Sequence, residues 1–176
     1  GLRITTTFTQ QAMQAAEDGV LAERPEGFQD KQLHIGVASV EPGTGALRGF
    51  YGGQDYLDSQ INWAVAGGMV GSTIKPLTVA TALENGYSLK DTFEGNSPFT
   101  FPGGLQVVNE GPGDGHDYGT AVSLTHATEE SINTAFVDLS NSIPDGPKKI
   151  LETAHKAGIP PTEPNKKYPG IPDRSR

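Results

Sequence analysis

Apolar residues recur at helical spacing in several stretches of the chain. Residues 9–24 set Ala12, Met13, Ala16, Val20 and Leu21 close to a 3.6-residue stripe among good helix formers, and Pro25 closes the segment. Residues 72–85 place Ile74, Leu77, Ala80 and Leu83 three apart, with Gly86 where a terminator belongs. Pro76 sharpens this second prediction, because proline is comfortable only in the first turn of a helix, where the amide it lacks has little to bond. The helix therefore starts at or just before Ser72. Helical pattern returns over residues 122–130, with Ser123 as N-cap, and over residues 134–140. Residues 32–40 and 45–52 read instead as short strands joined by the Pro- and Gly-containing turn at 41–45, an antiparallel hairpin. Residues 91–119 read as loop, ending in a glycine-rich stretch at 111–119 that is expected to be a mobile rim or an unstructured turn. Seven of the 13 prolines fall between Pro144 and Pro172, so the last part of the chain reads as a surface loop.

Composition adds bounds. The 176 residues, 35% apolar with 23 Gly and 13 Pro, fit one folded domain rich in turns and lie far from the composition of disorder. A formal charge of −8 and scattered Lys and Arg exclude the basic stripe that nucleic acid requires, so no nucleic-acid partner is expected. With no cysteine, neither a disulfide framework nor a thiolate nucleophile or metal site is available. His34, His116, His126 and His155 include no pair at i,i+4, so neither metal nor cofactor is expected. No run approaches the roughly 18–20 apolar residues that span a bilayer. The sequence opens at Gly1-Leu2-Arg3 without Met, which suggests a piece cut from a longer protein and leaves room for an anchor upstream.

The candidate chemistry lies at Ser72 and Lys75. Attack by serine on a carbonyl needs a base for the hydroxyl proton, and a lysine three residues later on a helix projects from the same face one turn away. Helix-start amides and the positive dipole end suit an oxyanion forming there. Lysine serves as a base only when neutral, so burial or a nearby positive charge has to lower its pKa. Ten Ser and eight Lys in this chain give about 0.45 S-x-x-K matches by chance, so a capping serine followed by a solvated lysine competes with the catalytic reading. Ser131-Ile132-Asn133, 59 residues after Ser72, supplies S-x-N, the partner motif of S-x-x-K acyl-transfer enzymes, against the alternative of a helix boundary built from capping residues. The segment GGMVGSTIK is not a phosphate-binding loop, because that loop needs Lys directly after its second Gly.

The setting of these motifs carries a resemblance. HIGVASVEPGTGALRGFYGGQDY, the Asn and Ala of INWAVAGG, and GSTIKPLTVATALENG resemble, in order and spacing, the transpeptidase domain of penicillin-binding proteins. GLRITTTFTQQAMQAAEDGV is similar to the start of that domain in the bifunctional class A members, and DYGTAVSLTHATEESINTAF to the segment leading into S-x-N. The resemblance implies a mixed α/β (α+β) fold of the penicillin-recognising, β-lactamase-like type, an antiparallel sheet with helices on both faces, of which residues 1–176 are the N-terminal portion. It implies that Ser72 is the acylated nucleophile, Lys75 its activating base, Ser131 the relay to the leaving group and Asn133 a substrate-binding residue. The expected reaction is attack on the D-alanyl-D-alanine bond of a peptidoglycan stem peptide, resolved by a neighbouring strand's amine. β-Lactams would acylate the same serine. The parent protein is expected at the extracytoplasmic face of the cell membrane, with a glycosyltransferase domain ahead of Gly1.

Departures from the family pattern are equally visible. No Lys-Thr-Gly or Lys-Ser-Gly occurs, so the strand that supplies a substrate-binding lysine and one oxyanion amide is missing. The expectation is a truncated or cleaved polypeptide whose remainder, lying outside this chain or on a second one, is its partner, with a degenerate homologue as the alternative. Val70 stands where proline is common, and Thr125-His126 replaces a usual basic residue. A class A β-lactamase is disfavoured by the absence of an E-x-x-L-N segment. A β-lactam-sensing domain that has lost turnover remains the non-enzyme alternative.

Overall fold

The computed structural model describes residues 1–26, 33–53, 55–57 and 59–161. They fall into two compact units, the first ending at Gly68 and the second starting at Met69.

In the first unit, α1 (Gln10–Glu23) is capped by Thr9, whose side chain accepts from the Ala12 amide, and it buries Ala16 and Val20. The strands β1 (Val37–Val40) and β2 (Leu47–Tyr51) pair antiparallel, Val37 opposite Tyr51, with a bulge at Ser39/Val40. Both are shorter than the sequence pattern suggests. The stretch before β1 is occupied otherwise: the His34 ring stacks on Trp63 with centroids 3.8 Å apart, and Gln32 lies outside the described residues. Alternation sorts the hairpin faces. Ile35, Val37 and Tyr51 join Ala16 and Val20 of α1, whereas Gly36 and Gly52 face the start of α2 (Trp63–Ala66), a short helix not foreseen from sequence. Close approach explains two of these glycines. A Cβ at Gly49 would lie 2.5 Å from the Ala12 carbonyl oxygen of α1, and one at Gly36 would lie 2.5 Å from the Trp63 carbonyl.

The second unit is mainly helical. A 3-10 turn (Gly71–Ile74) runs directly into α3 (Lys75–Glu84), with Pro76 in the first α turn, so the helix starts where Pro76 confines it. Residues 91–119 are not plain loop: β3 (Thr92–Phe93) pairs with β6 (Val122–Ser123), and β4 (Phe99–Thr100) with β5 (Gln106–Val107). Two-residue ladders carry no readable period, which is why the sequence hides them. Ser123 caps α4 (Leu124–Glu129), its hydroxyl accepting from the His126 amide at 3.2 Å, and α5 (Asn133–Ser142) follows.

The first part of the Pro-rich stretch departs from the surface-loop expectation, whose remainder from 162 onward lies outside the described residues: α6 (Gly146–Lys156) is a helix that tolerates Pro147 in its first turn and buries Ile150 and Ala154. It packs on α3, where the Thr81 and Thr153 hydroxyls are hydrogen-bonded at 2.8 Å and Lys149 Nζ donates to Asn85 Oδ1 at 2.6 Å. The core gathers Ala82, Phe93, Val122, Leu124, Ala127, Ile132, Phe136, Leu139 and Ile143 from five of these elements and their junctions. Antiparallel strands with packed helices make the fold mixed α and β, as expected. No helix among the described residues is long and apolar enough to cross a membrane.

Candidate active site

The 3-10 turn eclipses residues three apart, which stacks Lys75 directly above Ser72; the Lys75 amide also donates to the Ser72 carbonyl. Exposure separates the pair. Ser72 is exposed, whereas Lys75 is only 8% exposed. A capping serine with a solvated lysine is therefore ruled out: neither the 3-10 turn nor α3 has a side-chain cap, and the lysine is inside.

The three protons of a lysine ammonium need three acceptors, and Lys75 Nζ has them. It donates to the Ser131 carbonyl at 2.5 Å, to Ser131 Oγ at 2.9 Å and to Asn133 Oδ1 at 2.8 Å, and it lies 5.3 Å from the Phe136 ring centroid. Burial pushes the Lys75 pKa below that of a free lysine, and the negative charge of Glu110 offsets part of that shift. Ser131 Oγ lies 3.0 Å from Ser72 Oγ. The hydrogen-bonded route from Ser72 to Lys75 thus runs through the Ser131 hydroxyl.

Backbone geometry makes this possible. Ser131 takes a left-handed conformation, φ 54°, between the end of α4 and the start of α5, with the Ile132 amide bonded back to the Ala127 carbonyl at 2.9 Å. The tight reversal turns both the carbonyl and the hydroxyl of Ser131 onto one lysine. A non-glycine residue held in this region stores strain, and such strain concentrates at functional sites. Asn133 completes the group: its Nδ2 donates to the Val108 carbonyl at 3.0 Å while its oxygen faces Lys75.

All four residues singled out from sequence, Ser72, Lys75, Ser131 and Asn133, therefore meet in one hydrogen-bonded cluster. Sequence reasoning missed Val108, Glu110 and Phe136, which have no motif to mark them. The glycine-rich stretch has no helix or strand but is hydrogen-bonded to its surroundings. The His116 amide donates to the Glu110 carbonyl, the Tyr118 amide to Gly95, and the Gly95 amide to Gly119. The His116 ring meets Tyr118 edge-on at 4.3 Å, and Tyr118 meets His126 at 5.9 Å; these three line an open groove together with Gly111, Pro112 and Glu130. Among the described residues no group of three or more His, Asp or Glu is placed to hold a metal ion.

Comparison with known proteins puts this geometry in context. The family profile of the penicillin binding protein transpeptidase domain matches residues 35–166. Penicillin-binding protein 1A of Mycobacterium tuberculosis (strain ATCC 25618 / H37Rv) is 34% identical over 172 residues, and that of Mycolicibacterium smegmatis 33%; each alignment covers 97% of this chain. The chain spans only 19% and 20% of the length of these relatives. Among solved structures, the penicillin-binding protein PonA1 from Mycobacterium tuberculosis matches with a TM-score of 0.77 at 30% identity, over 96% of this chain and 40% of the other. The same protein in complex with penicillin V matches at 0.76 and 30%, over 96% of this chain and 42% of the other.

Proposed function

Because the chain belongs to the penicillin-binding protein transpeptidase family, we propose that residues 1–176 are the N-terminal portion of a D,D-transpeptidase domain in which Ser72 is the acylated nucleophile. The observation that carries this reading is the Ser131 hydroxyl, 3.0 Å from Ser72 Oγ and 2.9 Å from Lys75 Nζ. With Lys75 neutral, the Ser72 proton passes to Ser131 Oγ as the Ser131 proton passes to Lys75. Ser72 Oγ then bonds to the carbonyl carbon of the penultimate D-alanine of a stem peptide. Collapse of the tetrahedral intermediate breaks the D-alanyl-D-alanine bond, and the departing amine takes a proton back through Ser131. An amine from a neighbouring peptidoglycan strand attacks the ester, forms the crosslink and returns the proton to Ser72. Asn133 binds the substrate backbone through the Nδ2 hydrogen that Val108 leaves free.

A β-lactam opens on the same Ser72 and leaves slowly; the penicillin V complex of the PonA1 relative supports that part. Residues beyond this chain supply the K-T-G strand and the second oxyanion amide. The parent protein is a bifunctional glycosyltransferase and transpeptidase held at the outer face of the cell membrane by a segment upstream of Gly1. Fluorescent penicillin labelling of the full-length protein tests the assignment. A covalent band that Ser72→Ala abolishes is expected, and no labelling, or equal labelling of the alanine variant, refutes it.

A further inference from the structure

Asn109 is a buried side chain that the chemistry above does not use. It is 4% exposed. A carboxamide has two acceptor sites and two N–H donors, and all four are engaged. Its Oδ1 accepts from the Thr134 amide at 3.0 Å and from Thr134 Oγ1 at 3.1 Å. Its Nδ2 donates to the Gly95 carbonyl at 3.0 Å and to the His116 carbonyl at 3.1 Å. The Asn109 amide is fixed as well, donating to Ser97 Oγ at 2.9 Å.

Its neighbour Val108 provides the carbonyl that accepts from Asn133 Nδ2. Consecutive residues 108 and 109 thus grip consecutive residues 133 and 134 at the first turn of α5. A carbonyl only accepts hydrogen bonds, so Val108 dictates how the Asn133 carboxamide faces: NH2 toward the loop, oxygen toward Lys75. Turned over, Asn133 would point an N–H at the Lys75 ammonium, and Nζ would lose one of its three acceptors.

We propose that Asn109 is a positioning residue for acyl transfer, holding the 108–109 backbone against α5 so that Asn133 keeps its oxygen on Lys75 and Lys75 stays against the Ser131 hydroxyl. The inference rests on the reading of Ser72 as the acylated residue. It goes further by assigning a role to a side chain that touches neither the substrate nor the reacting atoms.

The test is stopped-flow acylation of the full-length protein by a chromogenic β-lactam, separating the acylation rate constant from the dissociation constant of the non-covalent complex, across pH. Misplacing a catalytic group by about 1 Å costs on the order of 100-fold. Asn109→Ala is therefore expected to lower the acylation rate constant about 10- to 100-fold and to displace its pH profile, with the dissociation constant little changed. Thr134→Val, which removes one of the four bonds without changing volume much, should act in the same direction more weakly, and Thr134→Ser should restore most of that loss. Thr81→Val, a buried hydroxyl deletion at the α3–α6 contact, provides a destabilised control that keeps the parent rate.

The proposal is overturned if Asn109→Ala acylates at the parent rate with an unmoved pH profile. It is overturned equally if Thr81→Val slows acylation as much at the same loss of melting temperature. Should Asn109→Ala fail to fold, the Thr134 pair decides: equal rates for Val and Ser sink the idea. A parent protein that does not label, or a Ser72→Ala variant that does, is a different result and refutes the underlying assignment instead.

Discussion

Replacing Ser131 with alanine and with glycine separates its two structural roles. Both variants remove the hydroxyl that Lys75 Nζ reaches at 2.9 Å, and both keep the carbonyl it reaches at 2.5 Å. Hydrogen bonds to charged groups contribute about 1.5–3 kcal/mol; with two other acceptors retained, the lower end applies, so each variant loses about 1.5 kcal/mol from this source. They differ in backbone. At φ 54° alanine keeps the strain of the left-handed region, about 1–2 kcal/mol for a residue with a Cβ, whereas glycine releases it and gives back about 0.5–1 kcal/mol in chain entropy. Ser131→Gly should therefore be more stable than Ser131→Ala by roughly 0.5–1 kcal/mol, the reverse of the usual order in regular structure. Thermal unfolding of the two full-length variants side by side measures the difference. An alanine variant that melts at or above the glycine variant refutes the strain argument. Both should lose at least about 100-fold in β-lactam acylation, and a glycine variant acylating at the parent rate would remove Ser131 from the proton path.

Other consequences are as concrete. With Lys75 as the proposed base, acylation should rise with pH and level off below the ordinary lysine range, because burial lowers the Lys75 pKa and a base has to be neutral. Glu110 opposes that shift, so Glu110→Gln should move the rising limb to lower pH, and a limb that stays put or moves up contradicts the assignment of Lys75. Linkage has the same sign: the unfolded chain holds this proton more tightly, so stability grows as pH climbs from the folded toward the unfolded lysine pKa, an increment that Lys75→Met should abolish in pH-dependent unfolding. In the first unit, Gly49→Ala should cost about 1–3 kcal/mol, since its Cβ would sit 2.5 Å from the Ala12 carbonyl oxygen. Gly19→Ala, within α1 and with open space around it, should gain about 0.5–1 kcal/mol; unfolding in which the two shift alike would rule out the close contact. Ser72→Ala should change stability by less than about 0.5 kcal/mol, because the residue is exposed.

Much of this arrangement was legible in the residues because the clues were local. Pro76 and the three-residue apolar spacing place the start of α3, and Ser123 announces α4 by the capping chemistry it performs. The site residues were readable as two short motifs whose types suit acyl transfer. What stayed hidden depends on tertiary contact. Nothing local says that Lys75 reaches Ser72 through Ser131, that Ser131 adopts a left-handed backbone, or that the partner of Asn133 is the Val108 carbonyl. Helix α6 was hidden for another reason: Pro144, Pro147, Pro160 and Pro161 dominate the composition there. They fall before, in the first turn of, and beyond the helix, where proline does no harm, and Ile150 and Ala154 carry the buried stripe.

The split exposure of Ser72 and Lys75 also bears on inhibitor chemistry. An electrophile approaching from solvent meets the serine oxygen at the surface, while the amine sits behind it, 8% exposed with all three hydrogens engaged. Warheads that capture amines have little approach to Lys75, whose Nζ is buried against the Ser131 turn. Warheads that capture alcohols have an open one, so the two members of one motif should differ in which reagents reach them.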